Sequence, residues 1–233
     1  MKQAKTYVLT KELTPIMFNE IAEEYDRLDR KLSFGLDLTW RKKLTQYLKN
    51  TNKNFEIVSD IAAGTGDMLA ELKKMNAKKY IAIDPSVNML NIAKTKVPDA
   101  EFIIAKAEEI PLPENFTDLI TVAFGVRNFS DINRAFDEFY RILKPEGKLA
   151  IMEFSVPKNI IPALGFKFYV KYVVPFLGYM HTGNYQAYKY LAESIFDFSK
   201  RYDIKSMLSK HNFTNVKVRN FIFGGVKIYC CSK

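Results

Sequence analysis

The stretch Asp60-Ile61-Ala62-Ala63-Gly64-Thr65-Gly66-Asp67 decides how this chain reads. It closes a short apolar run at residues 55–61 and opens an amphipathic segment reaching about residue 75. The order is therefore strand, glycine turn and helix, with Asp67 expected to cap the helix. Glycines at 64 and 66 let the backbone turn sharply and let a ligand approach the main chain. The third position of a dinucleotide fingerprint holds Leu69, and no Lys-Ser/Thr ending marks a phosphate loop. Asp60, at the strand end, would repel a pyrophosphate and suits a cationic ammonium or sulfonium group. Taken alone, the loop also reads as an ordinary strand-to-helix turn with Asp60 as a solvated cap.

Outward from this loop the alternation repeats. A second apolar run, residues 80–83, ends at Asp84, and Pro85 and Ser86 open a helix with Met89, Leu90 and Ala93 on one face. Residues 101–105 and 117–124 read as third and fourth strands, 131–143 as a helix, and 148–154 as a further strand after the turn Lys144-Pro145-Glu146-Gly147. Short unbroken apolar strands between amphipathic helices predict an α/β fold with a parallel sheet covered on both faces. In such sheets an acid at Asp84 grips a ribose diol. Ala105-Lys106-Ala107-Glu108, at the third strand end, would lie beside an adenine, with small Ala107 permitting close approach. A nucleoside without phosphates and with a positive charge at its far end is implied, and S-adenosylmethionine matches it.

The 233 residues fit one domain, read as a helical cap at 1–52, a cofactor core at 55–156 and a substrate lid with C-terminal strands at 157–233. Hydrophobic content of 48% and charged content of 26% exclude a disordered or fibrous chain. The 2 cysteines, Cys230 and Cys231, are adjacent and poorly placed to bridge. With only 2 histidines, no zinc site is expected. A reducing cytoplasm is the expected compartment. Residues 1–11 lack the apolar core of a secretory signal. The net charge of +9 fits nucleic acid, an anionic membrane surface, or simply a lysine-rich composition.

Beyond the glycine loop, Asp84-Pro85-Ser86, Phe124-Gly125-Val126-Arg127-Asn128 and Arg141-Ile142-Leu143-Lys144-Pro145-Glu146-Gly147 closely resemble the class I methyltransferases of quinone biosynthesis. These are the demethylmenaquinone and 2-polyprenyl-6-methoxy-benzoquinol C-methyltransferases. Met17-Phe18-Asn19-Glu20-Ile21-Ala22 with Tyr25-Asp26, Ser33-Phe34-Gly35, Trp40-Arg41, Glu153-Phe154-Ser155 and residues 188–195 resemble further motifs of that family. The resemblance implies a Rossmann-like fold: a mostly parallel seven-stranded sheet with helices on both faces and N-terminal helices over the cofactor site. It implies S-adenosylmethionine as cofactor, with contacts at Thr65, Asp84, Lys106 with Ala107, and Ala123, to which the glycine loop itself adds Asp60, Gly64 and Gly66. Relatives commonly carry serine where Ala123 stands, so a hydroxyl contact is lost there. The implied partner is a polyprenyl quinol lipid met by transient membrane-surface contact at the inner face of the membrane. A homodimer is compatible with it.

Carbon methylation of a hydroquinone needs a ring hydroxyl to lose its proton and the emerging charge to be stabilised. Arg127 and Asn128, after the fourth strand, are the candidate catalytic residues. An ion pair of Arg127 with Asp131 is the competing reading. His181, Tyr185 and Tyr188 are secondary candidates for proton acceptor, beside an activated water. Residues 160–180 approach a membrane span in length, but Lys167 and Lys171 would fall mid-bilayer, and Pro162, Pro175, Gly165 and Gly178 are expected to interrupt the helix. An interfacial lid touching the prenyl tail is preferred over a buried helix. Met17, Phe18, Ile21 and Tyr25 form a stripe at helical spacing, read as core with a side wall facing the cofactor as a second reading. A nucleic-acid substrate is not expected: the segment after the fourth strand lacks an Asn-Pro-Pro-Tyr-like base-methylation motif.

Overall fold

The computed structural model describes residue 11 and residues 14–51, 54–182 and 185–233. The expected alternation is present. Strands β1 (Ile57–Ile61), β2 (Lys79–Asp84), β3 (Glu101–Ile104), β4 (Thr117–Ala123) and β5 (Leu143–Phe154) run parallel, in the order β3-β2-β1-β4-β5. The hairpin β6 (Thr214–Phe221) and β7 (Val226–Ser232) completes a seven-stranded sheet of order β3-β2-β1-β4-β5-β7-β6, in which β7 pairs antiparallel to β5. The Lys144–Gly147 turn is an irregularity inside β5: Leu143 pairs with Thr117, and pairing resumes at Lys148 with Leu119.

Helices α3 (Asp67–Leu72), α4 (Val87–Lys96) and α5 (Ile132–Ile142) cover the sheet. Ser86 caps α4 by accepting from the Met89 amide, and Asp131 caps α5 by accepting from the Asn133 and Arg134 amides. Asp131 is thereby committed to a helix terminus rather than to Arg127. Asp67 is not a cap: Gly66, at φ 82°, holds the cap position and Asp67 is the first helical residue. The central strands are buried on both faces, since Val58, Ile81, Ile83, Leu119, Ile120 and Ile151 are fully enclosed. This explains their unbroken apolar sequences.

Of the two N-terminal helices, α1 (Thr14–Leu32) borders the loop after β1 and α4, whereas α2 (Leu36–Lys49) packs Trp40, Leu44 and Leu48 on one face of the sheet with Val58 and Leu119. Polar contacts fasten α1. Asn19 accepts from the Ser86 hydroxyl (2.5 Å) and the Asn88 amide (3.1 Å). Asp26 accepts from the Thr65 hydroxyl (2.5 Å) and pairs with Lys96, which also bonds Asp67 (2.6 Å).

The C-terminal third departs from expectation at one place. Pro162, Gly165, Pro175 and Gly178 do not break the apolar helix. Helix α6 (Ile160–Phe168) passes through a π turn, Tyr169–Val173, into α7 (Val174–Thr182). Pro162 sits in the first turn, where no intrahelical amide is required. The wide π turn immediately before Pro175 accommodates its missing donor. By length and composition, Ile160–His181 is long and apolar enough to cross a membrane, and with only 17% of its most apolar window buried it is not the buried helix of the alternative reading. Helices α8 (Tyr185–Arg201) and α9 (Ile204–Lys210) lead to the hairpin.

Candidate active site

The strand order reverses between β1 and β4, and ligands of open α/β sheets bind outside the carboxyl ends at such a point. Both ends turn through left-handed backbone there, Ala62 at φ 54° and Phe124 at φ 61°. A pocket opens between them. It is lined by Asp60, Gly64, Thr65, Asp84, Lys106, Ala107 and Ala123, seven of the eight expected cofactor residues, together with Phe18, Met68 and Met89. Gly66 does not line it. A side chain there would place its Cβ 2.8 Å from Ala93 Cβ, so Gly66 serves close packing of the loop on α4. Gly64 has nothing within 4 Å of a hypothetical Cβ, so its backbone faces open space. The Thr65 hydroxyl is already given to Asp26, which leaves the Thr65 main chain for a ligand.

Asp84 braces the loop. One carboxylate oxygen accepts from the Gly64 amide (2.9 Å) and the other from the Ser86 amide (2.8 Å). Burial pushes its carboxyl up to about 6 against the pull of those two amides. Asp60 accepts from the Thr121 hydroxyl through Oδ1 (2.6 Å), while its buried Oδ2 has no partner among the described residues. Burial pushes its carboxyl up to about 7. A buried carboxylate oxygen left unpaired in a pocket is costly unless a donor or a cation arrives.

A second cavity, about 640 Å³, adjoins the first. Its lining is almost wholly apolar, and Phe18, Tyr25, Phe124 and Asn128 line both spaces. Of the helical stripe, Met17 and Ile21 are buried core, while Phe18 and Tyr25 form the shared wall. Phe124 packs on Trp40 and Phe154, with ring centroids 6.0 and 4.5 Å away.

Arg127 and Asn128 both line the apolar cavity. Arg127 is buried and its Nη1 donates to Glu153 Oε1 (2.9 Å) and to the Phe124 carbonyl, while Nε lacks a partner among the described residues. The partner of Arg127 is thus buried Glu153, not Asp131, and its charge is locally balanced. Tyr190 donates to Asn128 Oδ1 (3.4 Å). Burial, then the Asp29 carboxylate, push the Tyr25 phenol upward, so it remains a donor. His181 and Tyr185 line neither cavity, whereas Tyr188 lines the apolar one. Sequence reasoning passed over Asp29 and Trp40 in the apolar cavity and Arg41 beside the glycine loop. Trp40-Arg41 stood in the N-terminal motif, but no local pattern set Asp29 apart from the other helical charges.

A pocket with two buried acids at the reversal point of a 3-2-1-4-5-7-6 sheet whose seventh strand runs backwards is the architecture of class I S-adenosylmethionine-dependent methyltransferases, and by its family this chain is such an enzyme. The ubiE/COQ5 methyltransferase family model matches residues 6–233, and the chain belongs to that family. A demethylmenaquinone methyltransferase of Thermotoga maritima is 40% identical over 207 residues, covering 88% of this chain and 89% of its own. The ubiquinone/menaquinone biosynthesis C-methyltransferase UbiE of Rickettsia prowazekii is 37% identical over 228 residues, covering 93% of this chain and 91% of its own. Among solved structures, an S-adenosylmethionine-dependent methyltransferase of Thermotoga maritima shares the fold, with TM-score 0.64 at 18% identity over 93% of this chain and 98% of that one.

Proposed function

We propose that the chain methylates a ring carbon of a polyprenylated hydroquinone, demethylmenaquinol or 2-polyprenyl-6-methoxy-benzoquinol, at the wall its two cavities share. The observation that carries this reading is the junction itself. A polar pocket with two buried acids meets an apolar cavity of about 640 Å³ across Phe18, Tyr25, Phe124 and Asn128. Turnover of both quinols by the purified enzyme, with the methylated lipid identified by mass, tests it. Activity on neither refutes it.

The pocket residues suit S-adenosylmethionine, which supplies an electrophilic methyl group on a sulfonium. Asp84 keeps lone pairs for a ribose diol beyond those used by Gly64 and Ser86. The Asp60 carboxylate, a buried acid among the pocket's lining residues, suits the cationic end. Ala107 and exposed Lys106 offer their backbone to a base edge. Tyr25 and Asn128 at the junction, and the Arg127 guanidinium beside them in the apolar cavity, supply donors and positive charge for a ring oxygen gaining negative charge. Glu153 and the Phe124 carbonyl hold the guanidinium in place, so it need not reorganise as that charge appears.

A pH signature follows. In the cofactor-free protein Asp60 and Asp84 titrate near 7 and 6, above their ordinary value of 3.8. The folded state therefore holds more protons than the unfolded state across this window. Their contribution to stability declines as pH rises from about 4 to about 7. Cofactor favours their ionised forms, so binding releases protons and tightens with pH over the same range. Calorimetry near pH 6.5 in buffers of different ionisation heat measures the release, and Asp60→Asn is expected to diminish it. Equal heats in all buffers would remove Asp60 from the cationic end.

The cavity mouth explains how a lipid arrives. Phe34 (77% exposed), Ile161 (84%) and Phe223 (79%) line the cavity and also face outward. They continue into exposed Leu164, Phe168, Tyr172 and Phe176, with Lys167 and Lys171 among them. Such a patch far exceeds scattered surface apolar residues and suits the interface of an anionic bilayer. The enzyme is expected to float with anionic vesicles at low salt and less at high salt. Ile161→Asp with Phe168→Asp abolishes flotation while cofactor affinity stays unchanged; flotation equal to wild type would reassign the patch.

A further inference from the structure

We propose that Asp29 is the proton acceptor for the ring hydroxyl of the hydroquinone, an assignment that rests on the C-methylation reading above. Asp29 lies one helical turn beyond Tyr25 on α1, on the same face. It is the only carboxylate among the described residues lining the apolar cavity, which it shares with Arg127 and Asn128.

Neighbouring acids are committed elsewhere. Asp37 accepts from Ser33 (2.7 Å) and Arg41 (2.9 Å). Glu153 accepts from the Arg127 side chain (2.9 Å) and amide (3.2 Å) and from the Phe154 amide (2.9 Å). The Asp29 carboxylate accepts no hydrogen bond among the described residues, and its single ion pair, with Arg41, is long at 3.7 Å. Its side chain keeps 23% of its surface exposed, and that surface borders the cavity. A carboxylate with vacant lone pairs in an apolar cavity is equipped to take a proton.

The charged groups acting on it are Arg41 and Asp37 of α2, Asp67 of α3 and Arg127 after β4, with the Tyr25 phenol on its own helix. Burial raises its carboxyl to about 6, and Arg41 limits the rise. It is therefore ionised at neutral pH yet more basic than an ordinary aspartate, as general-base work requires.

In the step proposed, the hydroxyl O–H bond breaks and its proton joins an Asp29 oxygen. The electron pair stays on the ring oxygen and enriches the adjacent ring carbon, which would form a carbon–carbon bond to the methyl group as the donor's methyl–sulfur bond breaks and that bond's electron pair stays on sulfur as a neutral thioether. That carbon then loses its own hydrogen as a proton to water, and Asp29 returns its proton to the ring oxygen. One proton leaves per turnover and Asp29 ends ionised.

The test uses Asp29→Asn and Asp29→Glu with a soluble short-chain demethylquinol under reducing conditions. Cofactor affinity and melting temperature are measured alongside, to show that both variants are folded. With cofactor saturating at every pH, so that Asp60 and Asp84 stay ionised, wild-type kcat/KM for the quinol is expected to fall at acid pH with an apparent pKa near 6. Asp29→Asn should lose that limb and at least about 100-fold in turnover at pH 7, recovering as pH approaches the ionisation of a phenol near 10. Asp29→Glu should restore part of the rate together with the limb. A rate deficit equal at every pH, or wild-type turnover in a folded Asp29→Asn, overturns the assignment and leaves the C-methylation reading standing. An inactive wild type overturns both.

Discussion

Replacing Arg127 by methionine is expected to lower turnover on the order of 100- to 1000-fold, the usual cost of losing one donor aimed at developing charge. It should also destabilise the fold by about 3–5 kcal/mol, because Glu153 is left buried without its cation. The two effects are separable. Adding Glu153→Gln removes the stranded charge and keeps one acceptor oxygen, enough for the amide of residue 127 or of Phe154 but not both, since these now bond different carboxylate oxygens. Arg127→Met with Glu153→Gln should therefore regain part of the lost stability, since neutral replacements of buried pairs are often tolerated. Turnover should stay low, because the guanidinium remains absent from the cavity. Chemical denaturation supplies the stability and steady-state assay the rate. If turnover returns with stability, Arg127 matters only as half of an ion pair and its place in the chemistry is lost.

Much of this site was legible because strand ends are punctuated. Asp60, Gly64 and Asp84 each terminate or follow an apolar run, and the sheet carries such residues to one edge wherever the intervening helices lie. Depth was not legible. Glycine at 66 looks equivalent to glycine at 64, yet one packs on Ala93 and the other faces the pocket. The choice depends on the approach of α4, a long-range contact that leaves no mark on the loop itself. The same holds for Arg127. Its spacing from Asp131 made a surface pair attractive, but Asp131 was needed as a helix cap and Glu153 arrived from the neighbouring strand. Proline was misleading for the opposite reason. Pro162 and Pro175 are strong local breakers, but a first-turn position and a π turn absorb them.

The polar fastening of α1 links these parts into one device. Asp26, Lys96, Asp67 and Thr65 join the N-terminal helix to the glycine loop and to α4. The same helix carries Phe18, Tyr25 and Asp29 to the wall of the second cavity. The glycine loop and the wall of the apolar cavity are thereby held in fixed register, which under the proposed function is the main service a displacement reaction asks of its enzyme.

Replacing Asp84 by alanine is expected to cost the most in cofactor affinity. Two charge-assisted hydrogen bonds to a ribose diol are worth about 3–6 kcal/mol together, so affinity should fall on the order of 100- to 10,000-fold. The loop braces are lost as well: the amides of Gly64 and Ser86 both donate to Asp84. Asp84→Asn separates the two contributions. An amide oxygen can still accept from one loop amide, but it offers a single neutral acceptor to the diol, so its affinity should fall between those of wild type and alanine. The unliganded alanine variant should not be less stable by the same margin, because burial has already raised the Asp84 carboxyl to about 6 and removing it relieves that cost. Calorimetric titration with S-adenosylhomocysteine, beside thermal unfolding of each variant without ligand, measures both quantities. Affinity unchanged in a folded Asp84→Ala protein would place the ribose elsewhere in the pocket, whereas a loss matched by equal destabilisation would make Asp84 a brace for the loop and nothing more.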